Sequence, residues 1–326
     1  MKNKNTKDIT LMCLALVVLL ALVGCGLLLI NSVTEHNKNE ISVSETSKTI
    51  IRDGREYFPK QDITVVMVLG IDKFGVKESS NYYRNEGSAD SIMLLIFNEN
   101  EKVCDVLYLN RDTMVNMDVL GLKGEYAGVS YGQLALAHTY GDGMEESAVN
   151  VKNTLENFIH GLTVDYYVSM NMDAIPLAND AVGGVKVNVK DDFSKVNPTI
   201  TKGEITLKGD QVIDFVRTRK EVGDQKNTSR MERQTDYLKG FLTALREKEN
   251  TDTDFALKLY DSVSPYIVTD VSAKNLSSML SRFKDFALGE IYTPEGENLI
   301  KDGHYQFLVD EESFDELTVK LFYSEK

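Results

Sequence analysis

Runs of apolar and polar residues divide the chain into a membrane-length segment, a polar stretch and a folded region. Residues 11–30 carry no charge over 20 positions, which is long enough for a helix to cross a bilayer. Residues 31–60 are rich in Ser, Thr, Asn, Glu and Lys and indicate a linker. From residue 61 onward, strand-like and helix-like patterns alternate, which predicts an α/β domain over residues 61–249.

Within this domain, nearly continuous apolar runs predict buried strands, and periodic apolar residues predict helices. The predicted strands cover residues 63–71, 91–97, 103–109, 166–170 and 185–189, and the predicted helices cover residues 133–140, 145–159 and 173–182 and one from residue 229. Residues 250–326 show two helical patterns and short strand signals without a catalytic constellation. We expect this C-terminal extension to pack on the main domain.

The N-terminal segment has two interpretations, and both place most of the protein outside the cytoplasm. Lys2, Lys4 and Lys7 precede the apolar run, which predicts a cytoplasmic tail at residues 1–8 and a single-pass anchor at residues 9–30. The alternative is a lipoprotein, because Leu22-Val-Gly-Cys25 fits a lipidation box at Cys25. The run stays apolar beyond Cys25, which favours the uncleaved anchor in the cell membrane.

Composition excludes several classes of function. The formal net charge of -14 and the pI of about 4.9 argue against general nucleic-acid binding, which depends on many Lys and Arg contacts with phosphates. The chain has no nucleophile-elbow, phosphate-loop or dinucleotide-binding motif, which counts against serine hydrolases, P-loop enzymes and nicotinamide enzymes. Its four histidines and three cysteines lack metal-binding spacing.

One segment, residues 216–234, reverses the acidic balance of the chain. Its six basic residues and three acidic residues give a charge of 6 - 3 = +3, which indicates an anion site. Arg217 and Arg219 flank Thr218, so on an extended segment both guanidinium groups lie on one face. Ser229 and Glu232 have capping-box spacing, which predicts a helix that starts there with Arg230 and Gln234 near its N-terminus. Guanidinium groups bind phosphate oxygens well.

Three carboxylates stand at the ends of predicted strands. Asp72 follows the first strand, Asp90 opens the second, and Asp112 follows the third. Carboxylates presented in this way suit Mg²⁺, a hard ion that shares oxygen ligands with phosphates. For any one of these residues, a turn or a helix cap is an alternative role.

The order of these motifs resembles the LytR-CpsA-Psr family over about residues 62–245. The matching motifs are Leu69-Gly-Ile-Asp72, Asp-Ser-Ile-Met-Leu at 90–94, Arg-Asp-Thr at 111–113, Asp-Tyr-Tyr-Val at 165–168, Asp-Ala-Val-Gly-Gly-Val at 180–185, Val-Arg-Thr-Arg at 216–219 and Arg-Met-Glu-Arg-Gln at 230–234. The resemblance implies an α/β/α domain with a central mixed sheet behind a single transmembrane helix. It also implies a Gram-positive-type enzyme that moves a glycopolymer, such as a teichoic acid or a capsular polymer, from polyprenyl pyrophosphate to peptidoglycan.

The resemblance also assigns roles to individual residues. Asp72 and Asp90 match the carboxylates that hold Mg²⁺, and the pyrophosphate-binding residues match Arg111, Arg217, Arg219, Arg230 and Gln234. The chain departs from the family pattern at three places. Ser88 stands where an arginine is usual, with Arg84 as a possible substitute, and Gln133-Leu-Ala135 replaces Lys-Ile-Asn. Asn227 replaces an acidic residue, which leaves Asp224 as the nearest carboxylate.

The leading hypothesis is therefore attack by an acceptor sugar hydroxyl on the sugar-linked phosphorus, stabilised by the arginines and Mg²⁺. Asp224 or Asp112 takes the proton, or Asp112 only orients Arg111. Two alternatives stay open. The protein is a non-catalytic envelope protein that binds lipid-linked or anionic polymer, or it is a polyprenyl pyrophosphate phosphatase that uses water as the acceptor.

Overall fold

The structure is a computed structural model that describes residues 49–325 except positions 53, 80–86, 122, 225–226, 253–254, 272–274, 276–277, 280–281 and 284–285. The predicted tail, the anchor at residues 9–30, Cys25, most of the linker and Arg84 lie outside these residues. Within the described part of the chain, no helix has the length and the apolar character needed to cross a membrane.

Fifteen strands and six α-helices are described. The strands are β1 (Ile50–Arg52), β2 (Arg55–Pro59), β3 (Ile63–Ile71), β4 (Ala89–Asn98), β5 (Val103–Leu109), β6 (Met114–Leu120), β7 (Tyr126–Gln133), β8 (Tyr166–Asn171), β9 (Val185–Val189), β10 (Gly203–Leu207), β11 (Ile267–Thr269), β12 (Ala287–Tyr292), β13 (Gly296–Lys301), β14 (His304–Val309) and β15 (Tyr323–Glu325). The helices are α1 (Glu145–Phe158), α2 (Ala174–Ala181), α3 (Gln211–Arg217), α4 (Asn227–Glu249), α5 (Phe255–Val263) and α6 (Glu311–Phe322), with short 3-10 helices at Leu134–Thr139 and Ser264–Tyr266.

A six-stranded mixed sheet forms the centre of the fold, in the order β11-β8-β3-β4-β5-β12. β3 pairs parallel with β8 and antiparallel with β4, and β5 pairs antiparallel with β4. The predicted α/β fold with a central mixed sheet is therefore confirmed. The apolar run of β3 is continuous because both faces of this strand are covered by other elements.

Alternate residues of β3 enter two separate hydrophobic cores. Met67 and Leu69 pack with α1 and α6, whereas Val66 packs with α2, α3, α4 and α5. Successive side chains of a strand point to opposite faces of the sheet, so helices cover the sheet on both sides. The structure is thus layered as α/β/α in its described part.

The C-terminal region contributes strands to the central sheet, which the sequence analysis did not predict. β12 pairs parallel with β5 and β11 pairs antiparallel with β8, so residues 250–326 supply both edge strands of the central sheet. Residues 50–59 also differ from the predicted linker, because β1 and β2 form a small sheet with β15. These strands are short, and β2, β11 and β12 pair with partners far away in the sequence, which local apolar patterns do not reveal.

Three further elements depart from the sequence prediction. The helix expected at residues 133–140 is a 3-10 helix at Leu134–Thr139, and Gln133 instead ends β7. The hairpin of β6 and β7 was not predicted. Helix α4 begins at Asn227, so Ser229 lies within its first turn rather than capping it.

An aromatic cluster attaches the C-terminal region to the central sheet. The ring of Phe97 in β4 stacks on Phe283, with 4.4 Å between the ring centroids, and meets the edge of Phe286 at 6.0 Å. All three side chains are fully buried. Such pairs add to the free energy gained by burying the rings.

A chain of buried polar groups lies beneath the 3-10 helix. His138 is fully buried, with Nδ1 2.7 Å from the Gly87 carbonyl oxygen and Nε2 3.5 Å from Ser169 Oγ. Lys77 Nζ donates to Ser169 Oγ at 3.1 Å. Burial and the positive charge of Lys77 lower the pKa of His138 to about 3, and burial and Lys73 lower the pKa of Lys77 to about 7.

We predict that Phe286→Ala lowers the free energy of unfolding by about 3–5 kcal/mol, because it leaves a cavity in the fully buried aromatic cluster. Equilibrium urea unfolding monitored by circular dichroism measures the change. Ile300→Ala is the control, since Ile300 is 68% exposed and its loss changes stability by less than about 0.5 kcal/mol. A loss below about 1 kcal/mol for Phe286→Ala contradicts the packing of the C-terminal region described above.

We predict a stability loss on acidification that depends on His138. The pKa of a histidine in an unfolded chain is about 6.5, so His138 binds a proton below about pH 6.5 when the protein is unfolded. In the folded protein His138 stays unprotonated down to about pH 3. The free energy of unfolding therefore falls with decreasing pH in this window, by up to about 1.4 kcal/mol per pH unit. Between pH 7 and pH 5 the contribution of His138 amounts to about 2 kcal/mol.

Urea unfolding of the wild type and of His138→Asn at pH 7 and pH 5 tests this prediction. The variant is expected to lose the His138 contribution, and the exposed His304→Asn serves as the matched control. The prediction is contradicted if the free energy of unfolding depends on pH equally in the wild type and in His138→Asn.

Candidate functional site

Several chain ends meet at one edge of the central sheet. β4 runs antiparallel to both β3 and β5, so the end of β3, the start of β4 and the end of β5 lie side by side. The backbone N–H of Asp72 donates to the Ser88 carbonyl oxygen at 2.9 Å, which holds Asp72 close to Asp90. The structure thus brings together Asp72, Asp90 and the residues that follow β5.

Asp90 is the buried centre of this arrangement, with 7% of its surface exposed. It accepts hydrogen bonds from Ser88 Oγ at 2.9 Å, from Arg230 at 3.1 Å and from Arg111. Burial alone raises the pKa of Asp90, but Arg111 and Arg230 outweigh that effect and hold the pKa below its usual value. Asp90 is therefore an anion between two arginines.

Arg217 and Arg219 reach different carboxylates. Arg217 Nε lies 2.9 Å from Asp72 Oδ1 and its second nitrogen lies 3.3 Å from Oδ2. Arg219 lies 3.5 Å from Asp112 Oδ2 and over the ring of Tyr305 at 4.6 Å. The expectation that both arginines share an extended segment is wrong, because Arg217 ends helix α3, whose apolar residues are buried in the core. Thr218, which follows the helix, has an extended backbone.

Asp112 is 2% exposed and is held in place from several sides. Gln133 Nε2 donates to its Oδ1 at 2.8 Å, and Arg111 Nε lies 3.5 Å away. Burial raises the pKa of Asp112, while Arg111 and Arg219 act in the opposite direction. A carboxyl group with a raised pKa accepts a proton more readily than an ordinary one.

Helix α4 presents Arg230 and Gln234 to the same edge. Asn227 Oδ1 accepts from Arg230 at 2.5 Å, and Asn227 Nδ2 donates to Asn110 Oδ1 at 2.7 Å. Gln234 Nε2 donates to the Val216 carbonyl oxygen at 2.9 Å, and Tyr108 donates to Gln234 Oε1. The helix is therefore fixed to both β5 and the end of α3.

Arg233, the other arginine of the 230–234 motif, binds a different set of groups. Arg233 donates to the carbonyl oxygen of Phe215 at 3.0 Å and to Asp191 at 2.7 Å, so it fastens helix α4 to the chain around α3. Asp224 is exposed in the segment that precedes α4. Asp112, the other carboxylate considered as a base, contacts Arg111 and Arg219.

The cluster contains polar atoms that lack partners. Across the described residues, three buried side-chain nitrogen or oxygen atoms have no hydrogen-bond partner, and two of these are Arg111 Nε and Arg230 Nε. A buried donor without an acceptor is costly. Four arginines (Arg111, Arg217, Arg219 and Arg230) face three aspartates, a balance of 4 - 3 = +1. The cluster is suited to bind an anion through its arginines.

An apolar cavity opens at this cluster on one face of the sheet. It has a volume of about 160 Å³ and lies between β3, β4 and β8 on one side and α2, α4 and α5 on the other. Met93, Met170, Tyr237 and Leu238 are among its lining residues, and Asp90, Arg217 and Arg230 lie at its polar end. A ligand that fits this space combines a long apolar part with an anionic head.

The residues near the cluster fit a metal ion only in part. The described residues contain no group of three or more His, Cys, Asp or Glu side chains able to hold a metal. Asp72 and Asp90 are oxygen donors of the kind that Mg²⁺ prefers, but both contact arginines. A metal held here therefore takes further oxygen ligands from a substrate or from water.

Sequence reasoning found the four arginines and three aspartates but missed other parts of the site. The sequence did not point to Tyr108, because this residue lies within an apolar strand. Asn110 has the pattern of a turn residue next to Arg111. Tyr305 lies 305 - 219 = 86 residues from Arg219 in the sequence, so only the folded chain brings the two together. Gln133 was noted solely as a departure from the family pattern.

Comparison with known proteins gives a consistent result. The model of the LytR_cpsA_psr family matches residues 27–322. The chain is 25% identical over 319 residues to the polyisoprenyl-teichoic acid–peptidoglycan teichoic acid transferase TagU of Oceanobacillus iheyensis, covering 94% of this chain and 91% of the relative. It is 28% identical over 235 residues to the corresponding transferase TagT of Bacillus subtilis, covering 70% and 63% of the two chains.

Solved structures share the fold. TagT bound to LI-WTA superposes with a TM-score of 0.59 at 24% identity, over 80% of this chain and 90% of that chain. TagV of B. subtilis gives a TM-score of 0.61 at 21% identity, over 80% and 96%. Because the family model spans most of the sequence, the chain belongs to the LytR_cpsA_psr family.

Proposed function

We propose that this protein is a membrane-anchored phosphotransferase that moves a glycopolymer from a polyprenyl pyrophosphate carrier onto peptidoglycan. The observation that carries the proposal is the apolar cavity whose polar end is lined by Arg217 and Arg230, two members of the four-arginine cluster. In that cluster the buried Nε atoms of Arg111 and Arg230 have no hydrogen-bond partner. The names of the relatives TagU and TagT support the same substrate class. The uncharged segment at residues 11–30, preceded by three lysines, supports an anchor with the catalytic domain outside the cytoplasm.

The cavity and the arginines together suit the two parts of the donor. In this proposal the polyprenyl chain lies among the apolar side chains, where its burial supplies binding free energy. The pyrophosphate lies at Arg111, Arg217, Arg219 and Arg230, whose guanidinium groups pair with phosphate oxygens. Arg111 Nε and Arg230 Nε then gain the acceptors that they lack. Arg217, which is partly exposed, is able to turn from Asp72 to the ligand.

The reaction follows from this placement. An acceptor hydroxyl attacks the sugar-linked phosphorus, a new P–O bond forms, and the bond to the bridging oxygen breaks, so that polyprenyl phosphate leaves. The arginines stabilise the charge that develops on the phosphate oxygens. Asp112 takes the proton of the hydroxyl group, since burial raises the pKa of its carboxyl group. Its Oδ1 also lies 3.5 Å from Arg111 Nε, so it orients that guanidinium group as well.

Mg²⁺ completes the proposal as a cofactor shared between protein and donor. Asp72 and Asp90 would hold it, and when bound it neutralises negative charge on the pyrophosphate. Both carboxylates contact arginines in the structure, so their oxygens would be shared between these guanidinium groups and the metal.

We predict that Arg217→Ala reduces transfer at least about 100-fold, because it removes a guanidinium group from the developing charge. Full-length protein in detergent is incubated with a polyprenyl pyrophosphate-linked saccharide and a peptidoglycan oligomer, with Mg²⁺ or EDTA, and products are followed by mass spectrometry. Asp90→Asn and EDTA are expected to abolish ligation as well. Arg282→Ala, which removes an exposed pair with Glu99, is the control with wild-type activity.

The same assay separates the alternatives. If the wild type binds the donor but neither ligates nor hydrolyses it, the protein is a polymer-binding protein. If it releases phosphate at the same rate with and without the peptidoglycan oligomer, it is a phosphatase. Either result replaces the transferase proposal.

We predict that Ala178→Leu weakens binding of a long-chain polyprenyl pyrophosphate by about tenfold, because the larger side chain fills part of the cavity. Binding of a short isoprenyl pyrophosphate is expected to stay unchanged, since its head group still meets the arginines. Ala127→Leu on the exposed side of β7 is the matched control. Equal affinity of wild type and Ala178→Leu for the long chain argues against the cavity as the lipid site.

A further inference from the structure

A second groove runs along the opposite side of helix α4. It has a volume of about 810 Å³ and lies between the first half of α4 and the segment that contains β12 and β13. Its walls carry hydroxyl, amide and carboxylate side chains, among them Thr228, Glu232 and Thr235 from the helix and Glu290 and Asn298 from the strands. Nothing in the proposed mechanism uses this groove so far.

Helix α4 separates the groove from the apolar cavity. Arg230, Gln234 and Tyr237 line the cavity, whereas Thr228, Glu232 and Thr235 line the groove. Residues three or four apart lie on the same face of a helix, so each set forms its own stripe. One helix therefore presents an apolar and cationic face to one ligand and a polar face to another.

Two lining residues of the groove contact the neighbourhood of the candidate base. These residues are Asn110 and Phe307. The backbone N–H of Asp112 donates to Asn110 Oδ1 at 3.0 Å, and the backbone N–H of Phe307 donates to the Asp112 carbonyl oxygen at 2.8 Å. Asn110 also contacts Asn227, which holds Arg230. The groove is therefore separated from Asp112 and Arg230 by residues that bond to them directly.

The charge of the groove selects among ligands. Its lining includes the carboxylates Glu232, Asp236, Glu290 and Glu295 and the amines Lys190 and Lys239, a balance of 2 - 4 = -2. This charge repels a polymer rich in phosphates. It suits sugar hydroxyl and amide groups, which donate hydrogen bonds to carboxylates.

We propose that this groove binds the acceptor, an uncharged N-acetylated glycan chain, and delivers its hydroxyl group to Asp112. The proposal rests on the proposed function, because it assigns the second substrate of the same site. The donor lipid occupies the other side of α4, so the two substrates approach the arginines from opposite faces of one helix.

Thr235→Tyr tests the proposal, because it places a bulky ring in the groove outside the arginine cluster. Thr243→Tyr, at an exposed position on the same helix, is the matched control. Full-length proteins in detergent are titrated with a β-1,4-linked N-acetylglucosamine oligomer by calorimetry and, separately, with polyprenyl pyrophosphate. We expect Thr235→Tyr to bind the oligomer at least about tenfold more weakly, with unchanged affinity for the lipid.

The outcomes distinguish this inference from the proposed function. If Thr235→Tyr loses only its binding of the oligomer, the groove is the acceptor site. Absence of ligation in the wild type would contradict the transferase proposal but would not change this conclusion about the groove. The inference is overturned if the wild type binds no oligomer, or if Thr235→Tyr binds it like Thr243→Tyr. It is also overturned if Thr235→Tyr instead weakens binding of a donor that carries a phosphate-rich polymer.

Discussion

The ion pairs around Asp90 are the interaction on which the rest of the site depends. Asp90 is nearly buried with Arg111 and Arg230 beside it. A buried charge without a partner costs several kcal/mol, whereas a buried pair offsets much of that cost. The carboxylates therefore keep four arginines together in the absence of a ligand. Two guanidinium Nε atoms still have no hydrogen-bond acceptor. A bound anion would supply these acceptors and so stabilise the cluster.

Helix α4 makes this arrangement possible because it serves three purposes along its first turns. Arg230 enters the ion-pair cluster, Arg233 on the next face binds backbone oxygens around α3, and Thr235 turns toward the polar groove. The Arg233 contacts are structural, since they fix the helix to the segment that presents Arg217. A helix fixed in this way holds its cationic side chains in place before the ligand arrives, which lowers the entropic cost of binding.

The sequence predicted the parts of the fold that local patterns determine. β3, β4 and β5 are long apolar strands, and the aspartates at their ends were expected to be neighbours, as they are in the structure. The edge strands β11 and β12 were missed because they are short and their partners lie far away in the chain. Arg217 was misplaced because a seven-residue helix, Gln211–Arg217, shows too few turns for its period to be recognised. Tyr305 reaches Arg219 only through tertiary packing.

The division of space around α4 also explains how one site handles three kinds of chemistry. An isoprenoid chain avoids water, a pyrophosphate needs cations, and a glycan needs hydrogen-bonding groups without strong positive charge. The apolar cavity, the arginines and the acidic groove offer these environments separately, with the arginines between the other two. In the proposed arrangement the acidic wall disfavours other anions on the acceptor side, while the apolar side admits an anion that carries a lipid. Donor and acceptor therefore approach the arginines from different sides and do not compete for the same space.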